Sequence, residues 1–251
     1  MDFFQFTTLQ WLLAGLAALL VGLSKSGFGG VGTLVVVLMA TVMHGHEKES
    51  TGVVLPMLII GDMFAVRVFH MHAKWAILKR LLAPAAVGVV IGWLLMDHIS
   101  NVTFRPLIGG MVIVLTLLHL LHRRYPERFQ AVPHSAWFAW AMGITAGATT
   151  MLANAAGPVM ALFFLALALP KMELVATGAV YFLIMNLFKV PFSWDLGFIT
   201  GKTLLFNAML APLVALGIFG GRFLLHRINQ TLFEQILIGM TIFSALFLIL
   251  R

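Results

Sequence analysis

Charge is scarce in this sequence: only 10% of its 251 residues are Asp, Glu, Lys or Arg, whereas 61% are hydrophobic. A soluble domain carries roughly 25% charged residues. A water-exposed surface cannot be built from this composition, so lipid must be the solvent for most of the chain. Since a helix needs about 20 apolar residues to cross the ~30 Å hydrocarbon core, the length leaves room for roughly eight to ten crossings.

Cysteine is absent, which excludes disulfides and thiolate metal sites. Acidic residues are also few: 9 Asp and Glu stand against 16 Lys and Arg, a formal charge of +7. In a soluble protein this excess would favour a nucleic-acid partner. In a membrane protein it is typical of cytoplasmic loops, and we expect no nucleic-acid partner. No basic residue precedes the first apolar run, so we expect no cleaved signal peptide.

Apolar runs occur in two series of five. The first series covers residues 8–23, 28–43, 51–70, 75–96 and 104–121, and the second covers 135–150, 155–169, 173–191, 203–221 and 231–250. The most polar stretch of the chain lies between the two series. We therefore divide the chain into a first transmembrane repeat (1–122), a basic linker (123–134) and a second transmembrane repeat (135–251).

Short motifs recur in the same order in both halves. The matching pairs are Thr51-Gly52 with Thr177-Gly178, Leu82-Ala83-Pro84 with Leu210-Ala211-Pro212, and Gly88-x-x-x-Gly92 with Gly217-x-x-x-Gly221. The paired glycines are small-residue faces that let helices approach closely in lipid. Five segments per half is an odd number, so the second half should enter from the opposite side. The predicted fold is an all-α polytopic membrane protein with two inverted repeats, a common transporter plan with its site near the midplane.

Lys and Arg are distributed unequally between alternate loops. One set of loops, which includes the linker, holds nine of these residues, and the other set holds four. Cytoplasmic loops carry the excess of Lys and Arg. We therefore place the linker in the cytoplasm and both termini outside.

Breaks interrupt the short first two segments of each half, at residues 22–32 and 149–158. Such paired, glycine- or proline-interrupted segments indicate a transporter site, and their arms are short enough to be re-entrant. Glycines allow close backbone approach, and the helix that follows each break presents free N–H groups to an anion. Asn154 is expected to cap the N-terminus of the second of these helices. The alternative is that the glycines are packing notches and the hydroxyls bond to their own helices. The predicted substrate-binding residues are Ser24, Lys25, Ser26, Gly27, Gly29, Gly30, Thr149, Thr150, Asn154, Gly157 and Lys189.

Charges inside the apolar runs are candidates for function because insertion of each costs at least ~2.5 kcal/mol. Lys25 lies in the first break and is the strongest candidate. Lys189 and Arg67 lie near the ends of their runs, where a long side chain can reach the interface. Asp62 lies near the middle of its run and needs a partner. Lys25 or Lys189 can supply one in a structural ion pair, or Asp62 can carry a coupling proton.

Two other patterns resemble functional motifs, but we interpret the histidines as loop residues and do not interpret the Ser/Lys stretch as a hydrolytic site. The pairs His44-x-His46 and His70-x-His72 have a metal-ligand spacing, but the topology places them on opposite faces. Ser24-Lys25-Ser26 lacks the strand–turn–helix context of a hydrolytic nucleophile. We expect no enzyme activity, no metal and no cofactor.

The first break, from Gly22 to Gly32, resembles the first glycine-rich signature of the TauE/SafE family of sulfite and organosulfonate exporters. The stretch Asn154-Ala155-Ala156-Gly157-Pro158, followed by Lys171 and Thr177-Gly178, resembles the second-half signature. The resemblance spans nearly the whole chain. It implies a carrier of the bacterial inner membrane that exports small sulfur oxyanions or sulfonates, with the glycines and Asn154 as motif positions. Members usually have a fuller glycine run followed by a proline, whereas no proline occurs here between the first break and Pro56.

The favoured function is export of a small anion, such as sulfite or sulfoacetate, by alternating access around a midplane site. The expected partners are this anion and the lipid bilayer, while proton coupling and a homodimer both stay open. A passive anion channel is the main alternative. An intramembrane enzyme would need a nucleophile beside a base, and a non-transporting subunit would need long soluble segments, and neither feature is apparent.

The topology can be tested directly because the chain has no native cysteine. Single cysteines introduced at Glu127, in the linker, and at Glu49, in a loop of the other set, should react with an impermeant thiol reagent from opposite sides of the membrane. Labelling of both positions from outside intact cells would contradict the predicted orientation.

Overall fold

The computed structural model describes residues 6–28, 31–43, 47–96, 117 and 135–250, and these residues contain no strand. Its α-helices are α1 (Thr8–Lys25), α2 (Val31–Val42), α3 (Glu47–Phe69), α4 (Trp75–Met96), α5 (Ala136–Ala153), α6 (Ala156–Ala166), α7 (Lys171–Asp195), α8 (Gly201–Arg227) and α9 (Gln230–Leu250). Within this part of the chain, α1, α3, α4, α7 and α8 are long and apolar enough to cross a membrane. The prediction of an all-α, multi-pass membrane protein is confirmed. The predicted linker lies outside the described residues, as does all of the run at 104–121 except Leu117.

The second helix of each half is short. α2 has 12 residues and α6 has 11, which gives lengths of ~18 and ~17 Å, little more than half of the ~30 Å hydrocarbon core. α1 and α5 have 18 residues each and reach ~27 Å, because each helix continues beyond the predicted apolar run. Whether these segments cross the bilayer or re-enter on one side stays a prediction.

Glycines bring two pairs of helices into backbone contact. A Cβ added at Gly88 of α4 would lie 2.1 Å from the Ile144 carbonyl oxygen of α5, and one at Gly147 would lie 2.0 Å from the Ala85 oxygen. In the other pair, a Cβ at Gly22 of α1 would lie 2.1 Å from a carbonyl oxygen of α8. No side chain fits in these places. These distances confirm the prediction that the spaced glycines form close packing faces. Close contacts of this kind hold helices together in lipid.

These contacts join helices from different halves of the chain. α4, the fourth described helix of the first half, packs on α5, the first helix of the second half, while α8 packs on α1. The fourth described helix of each half therefore packs on the first helix of the other half. The internal repeat and its inverted orientation stay predictions.

Loops of the more basic set meet at one end of the molecule. The Lys74 backbone N–H donates to Thr177 Oγ1 at 3.0 Å, and its ammonium pairs with Glu173 at 2.8 Å. Lys171 Nζ donates to the carbonyl oxygens of Leu225 and Ile228 near the end of α8. The start of α4, the start of α7 and the end of α8 therefore share one end. Which side of the membrane this end faces is the subject of the labelling test.

The glycine contacts make a stability prediction. Gly147→Ala forces a methyl group against backbone and should destabilise the protein by about 1–3 kcal/mol. Gly220 of α8 is an exposed control, because the described residues place nothing within 4 Å of an added Cβ there. Thermal unfolding in detergent should show a lower midpoint for Gly147→Ala and an unchanged or higher midpoint for Gly220→Ala. Equal midpoints for the two variants would contradict the packing account.

Candidate functional site

The first break needs glycine for two reasons. α1 ends at Lys25, and Gly27 then has a φ of +113°, which L side chains rarely adopt. A Cβ at Gly27 would also lie 2.5 Å from the Val175 side chain of α7. The chain turns here and continues into α2 from Val31. Gly29 and Gly30 of the predicted site lie outside the described residues.

Asn154 lies in the second break, and its role differs from the expected one. Asn154 does not cap the N-terminus of α6, since that position is Ala155, which makes no side-chain cap bond. Asn154 instead ends α5 with a φ of 51°. Asn tolerates this left-handed conformation better than most residues do. Its amide Nδ2 donates to the Thr51 carbonyl oxygen at 2.9 Å, and its Oδ1 accepts from Lys189 at 2.6 Å. The side chain therefore ties the second break to α3 and α7.

Lys25 is the partner of Asp62. Its Nζ lies 2.7 Å from Asp62 Oδ1, and the two side chains are 8% and 0% exposed. The other carboxylate oxygen accepts from Asn186 Nδ2 at 2.6 Å. The ammonium also lies 4.8 Å from the centre of the Phe182 ring, within the range of a cation–π contact. One carboxylate of α3 thus holds the first break and an amide of α7 together.

Lys189 is buried in the same cluster and does not reach out to the interface. Its Nζ donates to the Thr150 carbonyl oxygen at 2.9 Å, to Thr150 Oγ1 at 3.1 Å and to Asn154 Oδ1 at 2.6 Å. Asn186 Oδ1 lies 3.3 Å away as a further acceptor. An ammonium has three protons to donate and no acceptor, and these oxygens are enough to receive all three. Because Asn186 also donates to Asp62, it joins the two charged groups into one network.

A cavity of about 70 Å³ lies between the two breaks. Its polar lining comes from both of them and from α7, and consists of Ser24, Lys25, Thr150, Asn154 and Asn186. Gly32 and Gly157 also line it, and each is the second residue of its helix, α2 or α6. First turns have unpaired N–H groups and the positive end of the helix dipole. The volume is several times the ~10–15 Å³ that one water needs, which leaves room for an anion of a few heavy atoms.

The predicted hydroxyl donors are mostly occupied. The hydroxyls of Ser24, Ser26 and Thr149 each donate to a backbone carbonyl three residues earlier, at 2.7, 2.7 and 3.1 Å. Ser26 is buried against Gly221 of α8, where an added Cβ would overlap its hydroxyl. These residues follow the alternative interpretation, in which hydroxyls bond to their own helices. Thr150 lines the cavity and serves Lys189 as an acceptor.

The balance of buried charge favours an anion. Two ammonium groups, Lys25 and Lys189, surround one carboxylate, Asp62, so the cluster has a net formal charge of +1. Removing charge from water is expensive unless it is compensated. An anion in the cavity would bring the sum to zero, and Lys25 is the charged side chain of the three that lines the cavity.

Asn186 and Phe182 were absent from the predicted site. The signal that could have found them is helical spacing, since Phe182, Asn186 and Lys189 are four and three residues apart and so lie on one face of α7. A neutral amide inside a long apolar run is also unusual enough to mark a polar contact.

Comparison with known proteins gives one match. A family model described as "Sulfite exporter TauE/SafE" matches residues 14–248. No curated protein matches the sequence, and no solved structure matches it.

The buried pair makes a stability prediction. Asp62→Asn leaves Lys25 without its counter-charge and should cost about 3–5 kcal/mol. The double variant Lys25→Met/Asp62→Asn should recover at least half of this loss, since it removes both charges and keeps an acceptor for Asn186. Asp195→Asn, which changes an exposed carboxylate, is the matched control and should stay within about 0.5 kcal/mol. Chemical denaturation in detergent measures the differences, and a double variant less stable than Asp62→Asn would contradict the ion-pair account.

Proposed function

The chain belongs to the TauE/SafE family of sulfite exporters, and from that membership we propose that it exports a small sulfur oxyanion or organosulfonate across the bacterial inner membrane. It is a multi-pass membrane transporter. We further propose that the substrate binds in the cavity between the two breaks and that transport proceeds by alternating access around this cavity.

The observation that carries this proposal is the positive cavity. Lys25 and the first turns of α2 and α6 line one space, and the cluster behind that space has one more positive than negative charge. In a low-dielectric interior such dipoles and charges act more strongly than in water. The ligand that this arrangement suits best is an anion of a few heavy atoms with a single negative charge.

Binding would begin at the Lys25 ammonium. It has three N–H donors; Asp62 accepts one and the Phe182 ring faces the ammonium, so at least one donor is left for an anion oxygen. Backbone N–H groups of the first turns of α2 and α6 complete the site. The bonds of Asn154 and Lys189 hold the second break to α3 and α7, and a change of access would have to move or break these contacts.

The membrane potential alone can drive export. With the more basic loops in the cytoplasm and both termini outside, an anion moving outward gains ~2.3 kcal/mol per charge per 100 mV. A coupling proton is not required for this direction.

A passive anion channel is the competing function, and kinetics separate the two. A carrier binds its substrate in each cycle, so uptake into everted vesicles should saturate and show counterflow of labelled sulfite against an internal excess. Flux that rises linearly with concentration and shows no counterflow would favour the channel.

Lys25→Ala should weaken anion affinity by roughly 10- to 150-fold, since a hydrogen bond to a charged group contributes about 1.5–3 kcal/mol. Lys25→Arg should recover part of the affinity, limited by the bulk of the guanidinium beside the glycines. Calorimetry with sulfite on purified, monodisperse protein measures both.

Two outcomes would revise the role of Lys25. Unchanged affinity in Lys25→Ala would remove the ammonium from the site and leave the helix N-termini as its anion-binding groups. Restored transport in Lys25→Ala/Asp62→Asn, after loss in each single variant, would show that Lys25 mainly neutralises Asp62.

A further inference from the structure

One wall of the cavity changes from apolar to polar along α7. From the start of the helix toward its end, the residues that line the cavity are Leu174, Val175, Gly178, Ala179, Phe182 and Asn186. The polar network is at the Asn186 end, where Asp62 and Lys189 are bonded. Lys25 meets this wall at Phe182. Along α7, the polar groups of the network therefore lie at the Asn186 end, whereas the α7 residues that line the cavity beside Gly178 are apolar.

Gly178 leaves space in that apolar part. A Cβ added there would meet one neighbouring atom, Cε2 of Phe164, at an ordinary contact distance of 3.5 Å. The matching glycine of the first half, Gly52, behaves differently, since a Cβ there would lie 2.0 Å from the Phe198 side chain. The repeated Thr-Gly motif thus serves packing in one half, whereas in the other half it leaves part of the cavity open.

The spacing gives the size of this open part. Gly178 is four residues before Phe182, which is about 6 Å along the helix axis. Since an extended chain advances about 1.2 Å per bond, three or four bonds cover roughly 4–5 Å of this distance, and the radius of the terminal methyl group, about 2 Å, covers the rest. A substrate whose charged head lies at Lys25 can therefore place a tail of two or three carbons beside Gly178.

We propose that the substrate is a monoanionic alkanesulfonate with a short uncharged tail, and that Gly178 is the residue that sets the tail length. This inference rests on the proposed function of the same cavity. The sulfonate group has one negative charge, which balances the net formal charge of +1 on the cluster of Lys25, Lys189 and Asp62. A second charge on the tail would have to lie against Phe164, Val175 and Ala179 without a partner, and burial of an unpaired charge is strongly unfavourable.

The first test is a ligand series on the wild-type protein. Calorimetry would compare sulfite with methane-, ethane- and propanesulfonate, and with sulfoacetate and 2-aminoethanesulfonate, whose tails are charged. Each methylene buried beside Gly178 should tighten binding by about fourfold. The two ligands with charged tails should bind at least about tenfold more weakly than propanesulfonate.

The second test is Gly178→Ala, with Gly220→Ala as the matched control on the exposed face of α8. The added methyl group should weaken propanesulfonate by at least about fivefold. Sulfite affinity should change by less than about twofold, because the methyl group lies one helical turn from Phe182, the α7 residue that Lys25 contacts. Gly220→Ala should leave both affinities unchanged. The sulfite result also shows whether the variant is folded and competent to bind.

The outcomes separate this inference from the proposed function. If no sulfur anion binds to the wild-type protein, the proposed function itself fails. If sulfite binds but tail length has no effect, or if Gly178→Ala weakens sulfite and propanesulfonate equally, the proposed function stands and the tail site is wrong. Tighter binding of sulfoacetate than of propanesulfonate would likewise overturn it.

Discussion

The buried ion pair between Lys25 and Asp62 is the interaction on which the site depends. Each charge alone would be too costly to keep in an apolar interior, and the pair is tolerable because the remaining oxygen of Asp62 is bonded to Asn186. The same amide touches Lys189, which bonds to the end of α5 and to Asn154. One continuous network therefore holds both breaks against α3 and α7.

The glycines have three different roles around this network. Those of α1, α4, α5 and α8 remove side chains where backbones touch, as at Gly88 and Gly147, so the two halves can pack closely in lipid. Gly27 instead permits a backbone conformation that a side chain would strain. Gly32 and Gly178 leave open the cavity that this frame encloses. Glycine thus provides close helix contacts, a turn and open space in different places. The atoms that lie near the position of an added Cβ show which of these roles each glycine has.

Hydropathy predicted most of the fold, because every crossing must carry an apolar run of about the same length; the predicted run at 75–96 has the same bounds as α4. The break positions followed from their glycines and from Pro158.

The partner of Asp62 could not be chosen from sequence, since both lysines lie in apolar surroundings and only the packing decides between them. Asn154 was assigned to the wrong helix end because Asn is favoured both at N-caps and in left-handed C-terminal positions. Asn186 was not assigned to the site because a neutral amide disturbs a hydropathy profile little.

The central claim is that an anion binds between the two breaks, and locating one there tests it most directly. Selenite has the shape and charge of sulfite and scatters anomalously, so a crystal of the protein soaked in selenite would show where the anion sits. The account predicts an anomalous peak within about 4 Å of Lys25 Nζ, beside the first turns of α2 and α6, at the usual reach of an ion pair. A peak confined to the exposed basic loops, with none in the cavity at saturating selenite, would contradict it.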